Sequence, residues 1–160
     1  MQPHIGIKPE HLKECAAMLN KLLADEAVLY VKTLNYHWNV TGPHFDALHL
    51  FFQRQYEQML TITDDVAERV RALGFPAFGT MKEFLGNTQL QEQLHVTSEQ
   101  DMIKNLLNDH EVIIRSLRTG QQMAMDKYHD AGTNNFLCDL MEKQEKMAWM
   151  LRSFLQGGKE

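Results

Sequence analysis

The sequence predicts an all-α fold, a four-helix bundle whose middle connection is a long crossover carrying one short extra helix. Three observations lead there. Apolar residues recur at three- and four-residue spacing in four long segments, strand-like alternation is absent, and two of the three connections between segments are short while one is long.

The first helix covers residues of about 9 to 37, where Leu12, Cys15, Leu19, Leu22, Leu23, Leu29 and Tyr30 form the stripe and no Gly or Pro follows Pro9. Asn39-Val40-Thr41-Gly42-Pro43-His44 then reads as a loop, because Gly-Pro breaks the pattern and a residue before proline is biased to extended backbone. The second helix runs from about 45 to 73 on Leu48, Phe52, Gln55, Met59, Ile62, Val66 and Val70, with Gly74 and Pro76 as stop signals. So short a loop makes these two helices antiparallel. Periodicity fails from Gly74 to about Thr97, except for one short turn around Met81 to Leu85. The third long helix starts near Thr97 or Ser98, where Ser98 and Asp101 have capping-box spacing. It carries Ile103, Leu106, Leu107, His110, Ile114 and Leu117 and extends toward Tyr128. A break at Gly132, with Thr133 as N-cap candidate, opens the last helix, whose stripe is Phe136, Leu140, Met141, Met147, Leu151 and Phe154 before Gly157-Gly158. The methionines fall at helical spacing and read as core filling.

Composition bounds the function. A chain of 160 residues, 44% of them hydrophobic and 23% charged, suits one folded domain over 1–160 and excludes disorder as a whole-chain reading. No apolar run approaches the roughly 20 residues that cross a bilayer, and Met1 to Glu10 lacks the pattern of a secretory signal, so the expected location is the cytoplasm, nucleoid association included. Cys15 and Cys138 have neither scaffold number nor CxxC spacing and are expected to be buried, inert thiols. A net charge of −5 argues against unaided attraction to a phosphate backbone. The eight histidines point elsewhere, since imidazole is the commonest transition-metal ligand.

Metal centres inside helix bundles use paired Glu-x-x-His motifs on two helices, and the single match, Glu92-Gln-Leu-His95, lies in the connector. A different set stands out: His37, His49, Gln53, Asp64 and Glu68. His49 with Gln53, and Asp64 with Glu68, are each four residues apart and so share one face of the second helix. Yet His49 and Asp64 are fifteen residues apart, about 22 Å along the axis, whereas a metal holds ligands about 2 Å away. One chain cannot close such a site. Antiparallel pairing of this helix with its own copy, centred between Gln58 and Met59, sets His49 opposite Glu68 and Gln53 opposite Asp64, and a two-fold dimer then creates two equivalent sites. A hairpin centred at Pro43 brings His37 level with His49. Two imidazoles with two carboxylates suit Fe(II), Mn(II) or Zn(II), and equally iron passing to Fe(III). Read singly, Asp64 and Glu68 would be solvated helix charges and His49 a core residue; the symmetry of their spacing favours the metal reading.

The segments His37-Trp38-Asn39-Val40-Thr41-Gly42-Pro43-His44-Phe45, Leu48-His49, and Asp64-Asp65-Val66-Ala67-Glu68-Arg69 with Leu73-Gly74 resemble the Dps family, the DNA-binding proteins from starved cells, or miniferritins. The motifs span residues 37 to 74, and the helix pattern agrees over nearly the whole chain. The resemblance implies a ferritin-like subunit in a hollow dodecamer that oxidises Fe(II), with hydrogen peroxide favoured, at sites between two subunits and stores ferric mineral inside. It implies that His37 and His49 come from one subunit and Asp64 and Glu68 from its neighbour, with Glu68 the strongest ligand and Trp38 close by, able to quench a stray radical or simply to pack. Gln53 stands where many members have an aspartate, which puts the second iron position in doubt because a neutral amide binds iron more weakly. Family members admit iron through acidic three-fold pores lined from the start of the last helix; Asp130 and Asp139 match, and Asn135 replaces another pore acid.

The family's DNA binding often uses a lysine-rich tail. Met1 to Glu10 has one lysine, and Gly157-Gly158-Lys159-Glu160 has one balanced by an acid, so weak or absent DNA affinity is expected at neutral pH. The leading expectation is therefore an iron-storing ferroxidase with Fe(II) and hydrogen peroxide as substrates. The alternatives are a nucleoid-compacting structural protein and a shell whose site is degenerate or holds zinc as competitor.

Overall fold

The computed structural model describes residues 3–156. Five helices follow one another: α1 (Pro9–Asn39), α2 (Phe45–Ala72), α3 (Met81–Asn87), α4 (Glu99–Asp126) and α5 (Ala131–Gln156), with no strand among the described residues. The stop expected at Gly157-Gly158 and the tail lysine Lys159 lie outside them. No helix among the described residues is long and apolar enough to cross a membrane.

The four long helices close on one core. α1 packs on α2 and on α4, and α5 packs on α4 and on α2, so α1 and α5 are diagonal, as are α2 and α4. The expected stripes supply most of the buried side chains, among them Leu19, Leu23 and Leu29 from α1, Phe52, Met59 and Ile62 from α2, Leu106 and Leu117 from α4, and Leu140 and Leu151 from α5, although on α4 Ile113 is buried where the stripe predicts Ile114. Met59, Met102 and Met147 fill this core as expected. Met81 and Met125 do not; they are exposed, at 67% and 51%. Cys15 is buried, while Cys138 is only half-buried.

The helix ends have local causes. Ser98 Oγ accepts the Asp101 N–H at 3.3 Å at the start of α4. The N–H groups of Lys127 and Tyr128 both reach Met123 O, which ends α4 before Tyr128. The cap of α5 is Asp130 rather than Thr133, since Asp130 Oδ1 accepts the Thr133 N–H at 2.9 Å.

The crossover from 73 to 98 is fastened across α1 by three buried polar side chains. Asn20 donates to Pro76 O at 3.1 Å and accepts from Phe78 N at 2.9 Å. Asp25 accepts from Thr88 Oγ1, Gln89 N and Gln89 Nε2. Lys32 Nζ donates to Gln91 O at 2.6 Å and is ion-paired with Asp109 of α4. α3 itself rests on α1, held by a capping box between Thr80 and Glu83. The outer face of α2 is left clear.

At mid-bundle each long helix contributes a polar side chain. Gln144 Nε2 of α5 lies 2.7 and 2.8 Å from the two oxygens of Glu26 on α1. Its Oε1 accepts from His110 Nδ1 of α4, and Gln55 Nε2 of α2 donates to Met147 O at 3.3 Å. Burial pushes Glu26 up to about 8, against the Gln144 hydrogen bond, and pushes His110 down to about 4. A carboxyl raised in the folded state contributes stability that is complete below the unfolded value and is lost as pH rises through the folded one. Of these two groups only Glu26 changes between pH 6.5 and 8, and its contribution to stability falls with rising pH by at most about 1.4 kcal/mol per unit. His110, lowered on folding, acts oppositely and loses stability as pH falls from 6.5 toward 4. Thermal melting across pH 5 to 8 checks both: Glu26→Gln is expected to abolish the decline above pH 6.5 and to leave the acid-side decline due to His110 unopposed.

Candidate metal centre

His37 lies in the last turn of α1 and His49 in the first turns of α2, and the loop between them fixes their register. Val40 is buried with its N–H on Tyr36 O, and the Phe45 N–H bonds to Gly42 O. Gly42 has φ +125°, a backbone that favours glycine, and a Cβ there would stand 2.2 Å from Glu99 Oε1 and displace that carboxylate. The other Glu99 oxygen pairs with His44 Nδ1 at 2.9 Å, tying the loop to the first turn of α4.

Across this hairpin the two imidazoles stack, with centroids 3.8 Å apart and planes 22° from parallel. His37 Nδ1 is 2.8 Å from His49 O, and His49 Nδ1 is 2.9 Å from His37 O. A carbonyl oxygen only accepts, so both Nδ1 atoms carry the proton, which leaves Nε2 of each ring as the nitrogen able to bind a metal. Phe45 stacks on His49 at 5.1 Å, and Tyr56 stands edge-on to His37 at 5.2 Å. Sequence reasoning missed Tyr56, although its place seven residues after His49 puts it on the same helix face.

Gln53 follows one turn beyond His49 and donates from Nε2 to Glu57 Oε1 at 2.8 Å, leaving its own carbonyl oxygen as the atom able to meet a metal. Asp64 and Glu68 are exposed on the far half of α2. The structure brings together His37 and His49, with Gln53 next in line, and keeps Asp64 and Glu68 apart from them. Among the described residues no group of three or more His, Cys, Asp or Glu side chains is placed to hold a metal ion. The bundle centre holds one carboxyl and one imidazole with Gln144 between them. Trp38 is 66% exposed, and Phe45, Leu50 and Leu60 are exposed at 45%, 44% and 55%, so this surface of the α1–α2 pair presents large apolar side chains to solvent.

The residues expected at an iron-admitting pore separate. Asp130 is 3% exposed and engaged on both oxygens: Arg69 donates to it at 3.1 and 3.3 Å, Thr133 from both N and Oγ1. Its carboxylate caps α5 and clamps it to α2, so within the chain both oxygens of Asp130 are already engaged. Capping and an internal ion pair consume the charge. Arg69, within the recognised Asp-Asp-Val-Ala-Glu-Arg segment, was the available signal. Asp139 is exposed and paired with Lys143 at 2.7 Å; it borders a shallow concavity with Asn135, Cys138 and Glu142.

The profile of the ferritin-like domain matches residues 16–160. The chain is 43% identical over 155 residues to a low temperature-induced protein of Nostoc sp., covering 96% of this chain and 87% of that one. It is 36% identical over 143 residues to DNA protection during starvation protein 2 of Bacillus anthracis, covering 89% and 97%. Its structure is similar to that of the Dps protein from Vibrio cholerae O1, described as a member of a broad superfamily of ferritin-like diiron-carboxylate proteins, with a TM-score of 0.92 at 28% identity, covering 96% of each chain.

Proposed function

Because the chain belongs to the Dps family of ferritin-like proteins, we propose that it is an iron-sequestering ferroxidase. It acts as one ferritin-like domain in a hollow dodecamer, oxidises Fe(II) with hydrogen peroxide at sites shared by two-fold neighbours, and retains the ferric product as mineral. The observation that carries this reading is the reciprocal pair of hydrogen bonds between His37 and His49, which commits both Nδ1 atoms and leaves each Nε2 as the nitrogen available to a metal.

Antiparallel pairing of α2 with its copy sets Asp64 and Glu68 of the neighbour against His49 and Gln53, and it also sets Leu50 against Ala67, giving the exposed apolar side chains a partner surface. The imidazoles then bind Fe(II) as substrate, and the carboxylates add the negative charge that favours Fe(III). Peroxide takes two electrons, one from each of two Fe(II) ions, so holding both ions together avoids release of a one-electron fragment. Gln53 gives the second position only an amide oxygen. Iron approaches by way of Asp139 and Glu142 in the first half of α5. Zinc, which favours the same imidazoles, is a competitor.

Stopped-flow oxidation of anaerobically added Fe(II) by peroxide tests the centre. The His37→Ala/Glu68→Ala variant is expected to lose at least about 100-fold in rate, the scale on which removal of a directly acting group reads, and rates equal to the native protein's would refute the site. The net charge of −5 per chain supports iron chemistry over DNA compaction at neutral pH. Gel-shift titration at pH 7.5 in ordinary salt is expected to show little retardation of duplex DNA; tight binding there would favour the structural reading.

A further inference from the structure

A second pair of imidazoles meets where the start of α1 faces the turn between α4 and α5. The rings of His11 and His129 have centroids 5.9 Å apart with planes at 63°, and the Tyr128 ring lies 6.2 Å from that of His11. His11 is half-buried and His129 exposed, so the space between them opens to solvent.

Both anchors are fixed by the fold. His11 adjoins buried Leu12 and precedes buried Cys15 by one turn, and the Cys15 thiol packs 3.9 Å from the carboxylate of Asp130, the residue after His129. On the other side the Lys127 and Tyr128 N–H groups bond to Met123 O, and the Asp130 N–H bonds to Ala124 O at 2.8 Å. Between them His129 is held at φ +54°, a left-handed conformation uncommon outside glycine. The left-handed turn that ends α4 thus places His129 beside His11 at the start of α1.

We propose that His11 and His129 form a binding site for a borderline divalent transition metal of the Zn(II) class, contained within one chain and separate from the shared iron centre. Zinc accepts imidazole nitrogen at about 2.0 to 2.1 Å, so two rings on one tetrahedral ion stand about 5 Å apart between centroids. Closing the observed gap takes about 1 Å of side-chain movement, within the reach of an exposed His129. The third protein ligand is Glu14, one turn along α1 from His11, whose Oε2 is now 2.6 Å from Lys127 Nζ. That ion pair keeps three donors from converging in the absence of metal. It is exposed at both ends, so exchanging Lys127 for a metal ion costs little. Solvent fills the fourth position.

The experiment uses the full-length assembled protein with zinc as probe. Crystals exposed to micromolar Zn(II) are examined by anomalous diffraction at the zinc edge, and calorimetric titrations are run on a His37→Ala/His49→Ala background, which silences the shared centre. The expected result is an anomalous peak bonded to both imidazoles and one Zn(II) per chain retained in that background. His11→Phe and His129→Asn are each expected to weaken that binding at least about tenfold. Asparagine tolerates the left-handed backbone, so an unchanged melting temperature in His129→Asn shows that the turn survives. No peak between the rings, a peak on one ring only, or an unaltered zinc isotherm in both variants would overturn the assignment, whatever the outcome at the shared centre.

Discussion

The two hydrogen bonds that His37 and His49 exchange across the α1–α2 hairpin constrain everything else about this protein's chemistry. They assign the tautomers, since each Nδ1 must donate to a carbonyl, and they orient both Nε2 lone pairs without help from a metal. They also depend on register. A shift of one residue in either helix would rotate one ring by about 100° around its helix axis and separate the pair. The loop earns its sequence here: buried Val40, Gly42 at a left-handed φ with no Cβ to push Glu99 aside, and Glu99 reaching over from α4. The site is thus set by the bundle as a whole, although only α1 and α2 supply its imidazoles.

The same fold separates the surface that does chemistry from the interior that does not. At mid-bundle, where a metal could have been held among four helices, Gln144 bonds to Glu26 and to Nδ1 of His110, His110 Nε2 is buried without a partner, and burial favours the neutral form of both ionisable groups. One carboxyl held neutral and one imidazole fall short of the three or more ligands a metal site gathers. The crossover, meanwhile, is pinned to α1 by Asn20, Asp25 and Lys32, which leaves α2 uncovered along the face bearing His49, Gln53, Asp64 and Glu68. With the donors divided between two ends of one helix, assembly is the step that completes the proposed centre.

Much of this was legible in the sequence because it was periodic. Helical stripes fixed α1, α2, α4 and α5 to within a few residues, and the equal spacing of His49–Gln53 and Asp64–Glu68 is what suggests the two-fold pairing proposed for the centre. Polar side chains acting out of period were not legible. Asp130 looked like a free acid at the start of a helix, and nothing local signals that Arg69, sixty-one residues earlier, neutralises it. The buried Glu26–Gln144–His110 chain joins positions 118 and 34 residues apart, each of which reads by itself as a polar interruption of a core stripe. Tyr56 and the Gln53–Glu57 bond were within reach of helix geometry, yet their partners depend on rotamers that spacing does not specify.

The most direct measurement is subunit complementation. Chains carrying His37→Ala and His49→Ala are mixed, dissociated and reassembled with chains carrying Asp64→Ala and Glu68→Ala, and peroxide-dependent Fe(II) oxidation is compared with that of each variant alone. A centre shared across a two-fold axis predicts two inactive parents and an active mixture, because each mixed dimer regains one site with all its ligands. A mixture no more active than its parents, with mixed assembly verified by mass, would contradict the account.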